Sequence, residues 1–134
     1  MREIASAHVK ATGVPYAQAI QTGNHQLAAD EPASAGGQDA GPSPYGLVLS
    51  GLGACTTMTL RMYADKKGWD IGHLSVDLTL LKDHEGNTHI QRVLHSSAQL
   101  SEEQWLRLLD IASKTPVTKT LATGASITTT QAST

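Results

Sequence analysis

The sequence predicts an α+β fold, and three observations carry that prediction. Residues 40 to 60 hold no charged side chain and lie within a stretch that reads as one long helix. Leu74, Val76, Leu78 and Leu80 alternate strictly with Ser75, Asp77 and Thr79, the period of a half-buried strand. Short strand-like runs come before the helix, and a hairpin and a second helix come after it. Such segregation argues against a parallel α/β sheet. At 134 residues, the chain is expected to form a single domain spanning 1–134.

Ile4 to Lys10 and Tyr16 to Gln21 read as strands joined at Thr12-Gly13, and His25 to Ala29 as a third. Asp30 to Ser43, rich in Gly, Pro, Ala and Ser, reads as a mobile loop. The helix then starts with Ser43 as cap and Pro44 in the first turn, where a missing N–H does no harm. It ends at Lys66, Lys67 and Gly68, two cations at the negative end of the dipole and a left-handed stop. From Pro44 to Lys67 it would run about 36 Å. Leu47, Val48, Leu49, Leu52, Met58, Leu60, Met62 and Tyr63 make it apolar on every side, so a buried central helix is expected, with Cys55 deep inside. Its glycines and threonines dilute the hydrophobicity below that of a membrane span. The glycines are read instead as points of close approach, where a second helix lies on this one.

After Gly68 the strand Leu74 to Leu80 turns at Glu85-Gly86-Asn87 and returns as His89 to Gln99. Ser101 to Gln104 is a capping box, opening a helix whose Trp105, Leu108, Leu109 and Ala112 face the core. Pro116 ends that helix, Leu121 and Ile127 return to the core, and Ser126 to Thr130 reads as a last strand. One small sheet cannot cover a helix that is apolar all round. A second copy is therefore expected to cover it, as a two-fold homodimer.

A net charge of −2 gives no footing for nucleic acid or an anionic membrane surface. One cysteine excludes an internal disulfide, and the N-terminus lacks the apolar segment of a secretory signal, so a cytoplasmic location is expected. No metal set and no cofactor is expected. His84 and His89 flank a turn and supply only two ligands, and His25 with Asp30 and Glu31 is a loose cluster. No serine sits in a nucleophile elbow, and the glycines near Cys55 do not follow a strand in a phosphate-binding pattern. Trp69, just past the helix stop, reads as core, with the roof of a pocket as the alternative.

Six segments in their order carry a resemblance: DEP (Asp30 to Pro32), GPSPYG (Gly41 to Gly46), LGACT (Leu52 to Thr56), LRMYADKKGW (Leu60 to Trp69), LSEEQ (Leu100 to Gln104) and TPVTKTL (Thr115 to Leu121). Together they resemble the OsmC/Ohr family of thiol-dependent organic hydroperoxide reductases, proteins of the oxidative stress response. The resemblance implies an intertwined α+β homodimer with small antiparallel sheets around long central helices. It implies a peroxidatic cysteine, here Cys55, in a site for a small apolar hydroperoxide lined by Tyr45, Leu52, Met58 and Met62. It also implies an activating arginine from the N-terminal strands, where this chain has Arg2 and Lys10. The chain departs from the pattern at Thr115, the position of the family's resolving cysteine, and at Tyr45 and Gly46, where a supporting carboxylate belongs. An active protein would need an external thiol reductant. The alternative is a catalytically degenerate homodimer that binds a small apolar ligand without turnover.

Overall fold

The computed structural model describes residues 1–133. In chain order the elements are β1 (His8–Ala11), β2 (Gln18–Thr22), β3 (His25–Ala29), a 3-10 turn (Ala33–Ala35), α1 (Pro44–Lys67), β4 (Leu74–Lys82), β5 (Thr88–Ser96), α2 (Glu102–Ala112) and α3 (Pro116–Thr123). This is the expected α+β class. The chain divides into two compact units, residues 1–50 and 51–134, with the division falling inside α1. Among the described residues no helix is long and apolar enough to cross a membrane.

In the first unit, β1, β2 and β3 form an antiparallel meander, with Val9 opposite Ile20 and Ile20 opposite Leu27. β1 begins at His8 rather than Ile4. The segment after β3 closes on Asp30, whose buried carboxylate accepts from the backbone N–H groups of Glu31 (2.8 Å), Gln38 (3.1 Å) and Ala40 (3.1 Å). These donors, Ala40 foremost, hold the carboxyl below its ordinary range. One acidic side chain thus satisfies three backbone donors of a segment whose other N–H groups pair locally, as Gly37 with Pro32 O and Asp39 with Glu31 O. The loop leads into α1 where Ser43 Oγ accepts from the N–H of Gly46 at 3.1 Å, the cap expected from the sequence.

In the second unit the sequence bounds of α1 hold: Gly68 adopts φ 70° and Trp69 N donates back to Ala64 O at 2.9 Å. All-round burial does not hold within the chain. Leu52, Gly53, Thr56, Leu60 and Ala64 form the buried face, while Met58 and Met62 are 59% and 64% exposed. The i, i+4 row meets the rest of the unit, and the opposite apolar row faces outward. At Gly53 a Cβ would lie 2.9 Å from Leu78 Cδ1 and 3.3 Å from Val76 Cγ1. This close approach is therefore to strand β4 of the same chain, not to a second helix.

β4 and β5 form an antiparallel hairpin in which Val76 faces Leu94, Leu78 faces Arg92 and Leu80 faces Ile90. Asp83 ties its turn by accepting from the N–H groups of Glu85 and Asn87, both at 2.9 Å. The capping box at Ser101 forms as expected. Leu60, Ala64, Ile71, Leu108 and Ala112 make the core, with Tyr63, Trp69, Leu74, Leu94, Leu100 and Ile111 packed around them. Trp69 meets Tyr63 edge-on at 5.5 Å and also borders an open cleft of about 500 Å³ with Tyr63, Lys67 and Arg107.

Three readings of the C-terminal third are corrected. Leu109 points outward from α2, because only the row through Leu108 and Ala112 reaches the core. Pro116 begins α3 rather than only ending α2: Thr115 is its N-cap and Pro116 its first residue. No strand forms over Ser126 to Thr130, and Ile127 is 85% exposed. That run offers one large apolar side chain, too little to hold it against a sheet.

Candidate functional site

Cys55, the only thiol of the chain, sits on α1 at the border between the buried row and the outward apolar row. It is half-buried, not deep, and its Sγ lies 3.9 Å from Thr59 Oγ1 one turn along. Met58 and Met62 follow it at i+3 and i+7, so all three share one side of the helix. Leu52 is nearly covered at 5% exposure, whereas Tyr45 is 53% exposed. Of the four expected lining residues, Met58 and Met62 thus flank the thiol along the outward row, and Leu52 belongs to the buried face.

The neighbouring residue, Thr56, points inward. Its hydroxyl donates to Leu52 O at 2.7 Å and accepts from Arg92 Nη1 at 2.8 Å. Arg92 stands on the inward face of β5 between Ile90 and Leu94. Its other bonds run from Nη1 to Thr118 Oγ1 (2.9 Å) and from Nη2 to Ala112 O (2.9 Å). Thr118 in turn shares a 2.6 Å hydroxyl contact with Thr115, which is buried and caps α3. A chain of polar contacts therefore runs from α1 through β5 to the start of α3. Among the described residues every acceptor of Arg92 is neutral. Burial pulls its pKa below the usual arginine value, and the charge of Cys55 works in the opposite direction.

Sequence reasoning missed Arg92. Its signal was parity: in Ile90-Gln91-Arg92-Val93-Leu94 the cation occupies the inward register of an apolar strand. Arg2 and Lys10, where the resemblance places an activating cation, are exposed in the first unit. Arg61 is exposed as well and pairs with Asp65 at 3.1 Å. His95 pairs with Asp77 at 3.0 Å on the outer face of the hairpin.

A family model described as OsmC-like protein matches residues 36–130. Among curated proteins none matches the chain. Solved structures do. An OsmC-like protein of Mycoplasma pneumoniae is 21% identical with a TM-score of 0.72, covering 91% of this chain and 89% of its own. An organic hydroperoxide resistance protein OsmC of Legionella pneumophila is 19% identical with a TM-score of 0.65, covering 89% of each chain. The organic hydroperoxide resistance protein OhrB of Bacillus subtilis is 22% identical with a TM-score of 0.61, covering 87% of this chain and 89% of its own. At these identities the likeness is one of fold.

Proposed function

The chain belongs to the OsmC-like protein family, and on that footing we propose that it is a thiol-dependent organic hydroperoxide reductase, acting as a cytoplasmic homodimer with Cys55 as its peroxidatic cysteine. The supporting observation is the placement of that thiol: it is half-open beside outward-facing Met58 and Met62, where an apolar hydroperoxide can reach it. A cysteine serving only as a small core residue would be sealed in.

In the proposed reaction the Cys55 thiolate attacks the terminal peroxide oxygen. An S–O bond forms, the O–O bond breaks, and the departing alkoxide takes a proton to become the alcohol. The sulfur loses two electrons and becomes a sulfenic acid. Thr115 stands where the family pattern would put a second thiol and cannot resolve it. A small external thiol does so instead: its sulfur bonds to Cys55 and water leaves. A second such thiol then frees Cys55 and carries away a disulfide.

Reduced protein mixed with cumene hydroperoxide and a dimedone-type probe should gain one label, on Cys55, with about one equivalent of peroxide consumed per chain. An unlabelled Cys55 with the peroxide intact would favour the second reading, a homodimer that holds a small apolar ligand without turnover. The specific observation behind that reading is the pair of departures at Thr115 and at Tyr45-Gly46.

A further inference from the structure

We infer that Arg92 is the electrostatic partner of the Cys55 thiolate, delivered from β5 and held by hydroxyl and carbonyl oxygens alone; this rests on Cys55 being the reactive thiol proposed above. The argument begins with position. Arg92 occupies an inward register between Ile90 and Leu94, opposite Leu78, where an aliphatic residue would pack without loss of solvation. A half-buried guanidinium needs its donors satisfied, and it gains further from an opposite charge nearby.

The donors are satisfied. Thr56 Oγ1, Thr118 Oγ1 and Ala112 O each accept one bond of 2.8 to 2.9 Å. Ala112 ends α2, so its carbonyl lies at the negative end of that helix, a favourable place for a cation. The charge is not compensated by any carboxylate: among the described residues Arg92 belongs to no ion pair. Asp65, Asp77 and Asp110 are held by Arg61, by His95, and by Arg107 with Lys114. Arg92 is fastened to Thr56, the residue next to Cys55 on α1, and the Cys55 charge favours the protonated guanidinium. A thiolate formed at Cys55 would thus lie one residue along α1 from an acceptor of Arg92.

The resemblance implies a cation from the N-terminal strands, whereas this one comes from β5; among the described residues no carboxylate pairs with it, in keeping with the departure at Tyr45 and Gly46. Thr118 is its positioning residue, set in the first turn of α3 by the hydroxyl of Thr115. The hydroxyl at 115 therefore has a use that a resolving thiol would not have.

The test compares the rate of Cys55 alkylation by iodoacetamide at pH 7 in the full-length protein and in Arg92→Met, Arg92→Lys and Thr118→Val. Arg92→Met should slow alkylation by roughly tenfold or more, Arg92→Lys by clearly less, and Thr118→Val by an intermediate amount. An Arg92→Met variant that melts like the wild type and alkylates at the wild-type rate would overturn the inference. Should Arg92→Met fail to fold, the wild type alone decides, by its rate ratio for anionic iodoacetate over neutral iodoacetamide. That ratio should exceed the ratio for N-acetylcysteinamide several-fold, because a fixed cation draws the anionic reagent. A ratio equal to or below the free thiol's would overturn the inference. Fast, Arg92-dependent alkylation together with no oxidation by cumene hydroperoxide would defeat the peroxidase reading and leave the assignment of Arg92 standing.

Discussion

Two arginines in the second unit make opposite use of the same side chain. Arg107 lies on the surface: its Nε donates to Tyr63 Oη at 2.9 Å, its guanidinium covers the Tyr63 ring at 5.6 Å, and Asp110 sits 3.6 Å away. The tyrosine oxygen, above all, raises its pKa. Arg92 is drawn inward, touches only neutral oxygens, and has its pKa lowered by burial. Water and a carboxylate share the charge of Arg107, whereas that of Arg92 is left for whatever anion forms nearby. On the inference drawn above, the arginine that serves the thiol is the one with fewer ionic partners.

The largest effect should come from reversing the inward charge. Arg92→Glu would set a carboxylate among the oxygens of Thr56, Thr118 and Ala112, and we expect a loss of about 2 kcal/mol or more in urea denaturation together with an unreactive Cys55. A smaller effect should follow Thr118→Val, which takes one acceptor from Arg92 and the hydroxyl partner from Thr115. A loss of about 1 kcal/mol is expected by the same measurement. Smallest should be Arg107→Met, which should leave the rate of Cys55 oxidation by cumene hydroperoxide within about twofold of wild type. A larger drop would erase the contrast between the two arginines. Salt sharpens it further: about 0.5 M NaCl should weaken the exposed pairs of Asp110 while changing the Arg92-dependent thiol reactivity far less.

What could be read from the sequence was whatever depends on local chemistry. Ser43 and Gly68 marked both ends of α1, and the alternation from Leu74 marked β4 and its inward face. Position 55 was legible as the thiol of interest, but its depth was not. All-round apolarity says which surface avoids water without saying which side the chain itself covers. Arg92 shares the inward parity of its strand neighbours, but the partners that hold it come from α1, α2 and α3, 20 to 36 residues away, and local sequence does not show them. Pro116 has two meanings, stop and start. Only the Thr115 hydroxyl, accepting from the N–H of Thr118, selects the second.

Thr115 also bears on the history open to this chain. A change to cysteine would put a second sulfur at the head of α3, yet it would withdraw the oxygen that caps the helix, at a cost of about 1 kcal/mol. It would also loosen Thr118, through which Arg92 is aimed. A second thiol at this position would thus come with a less stable α3 and a less firmly aimed Arg92.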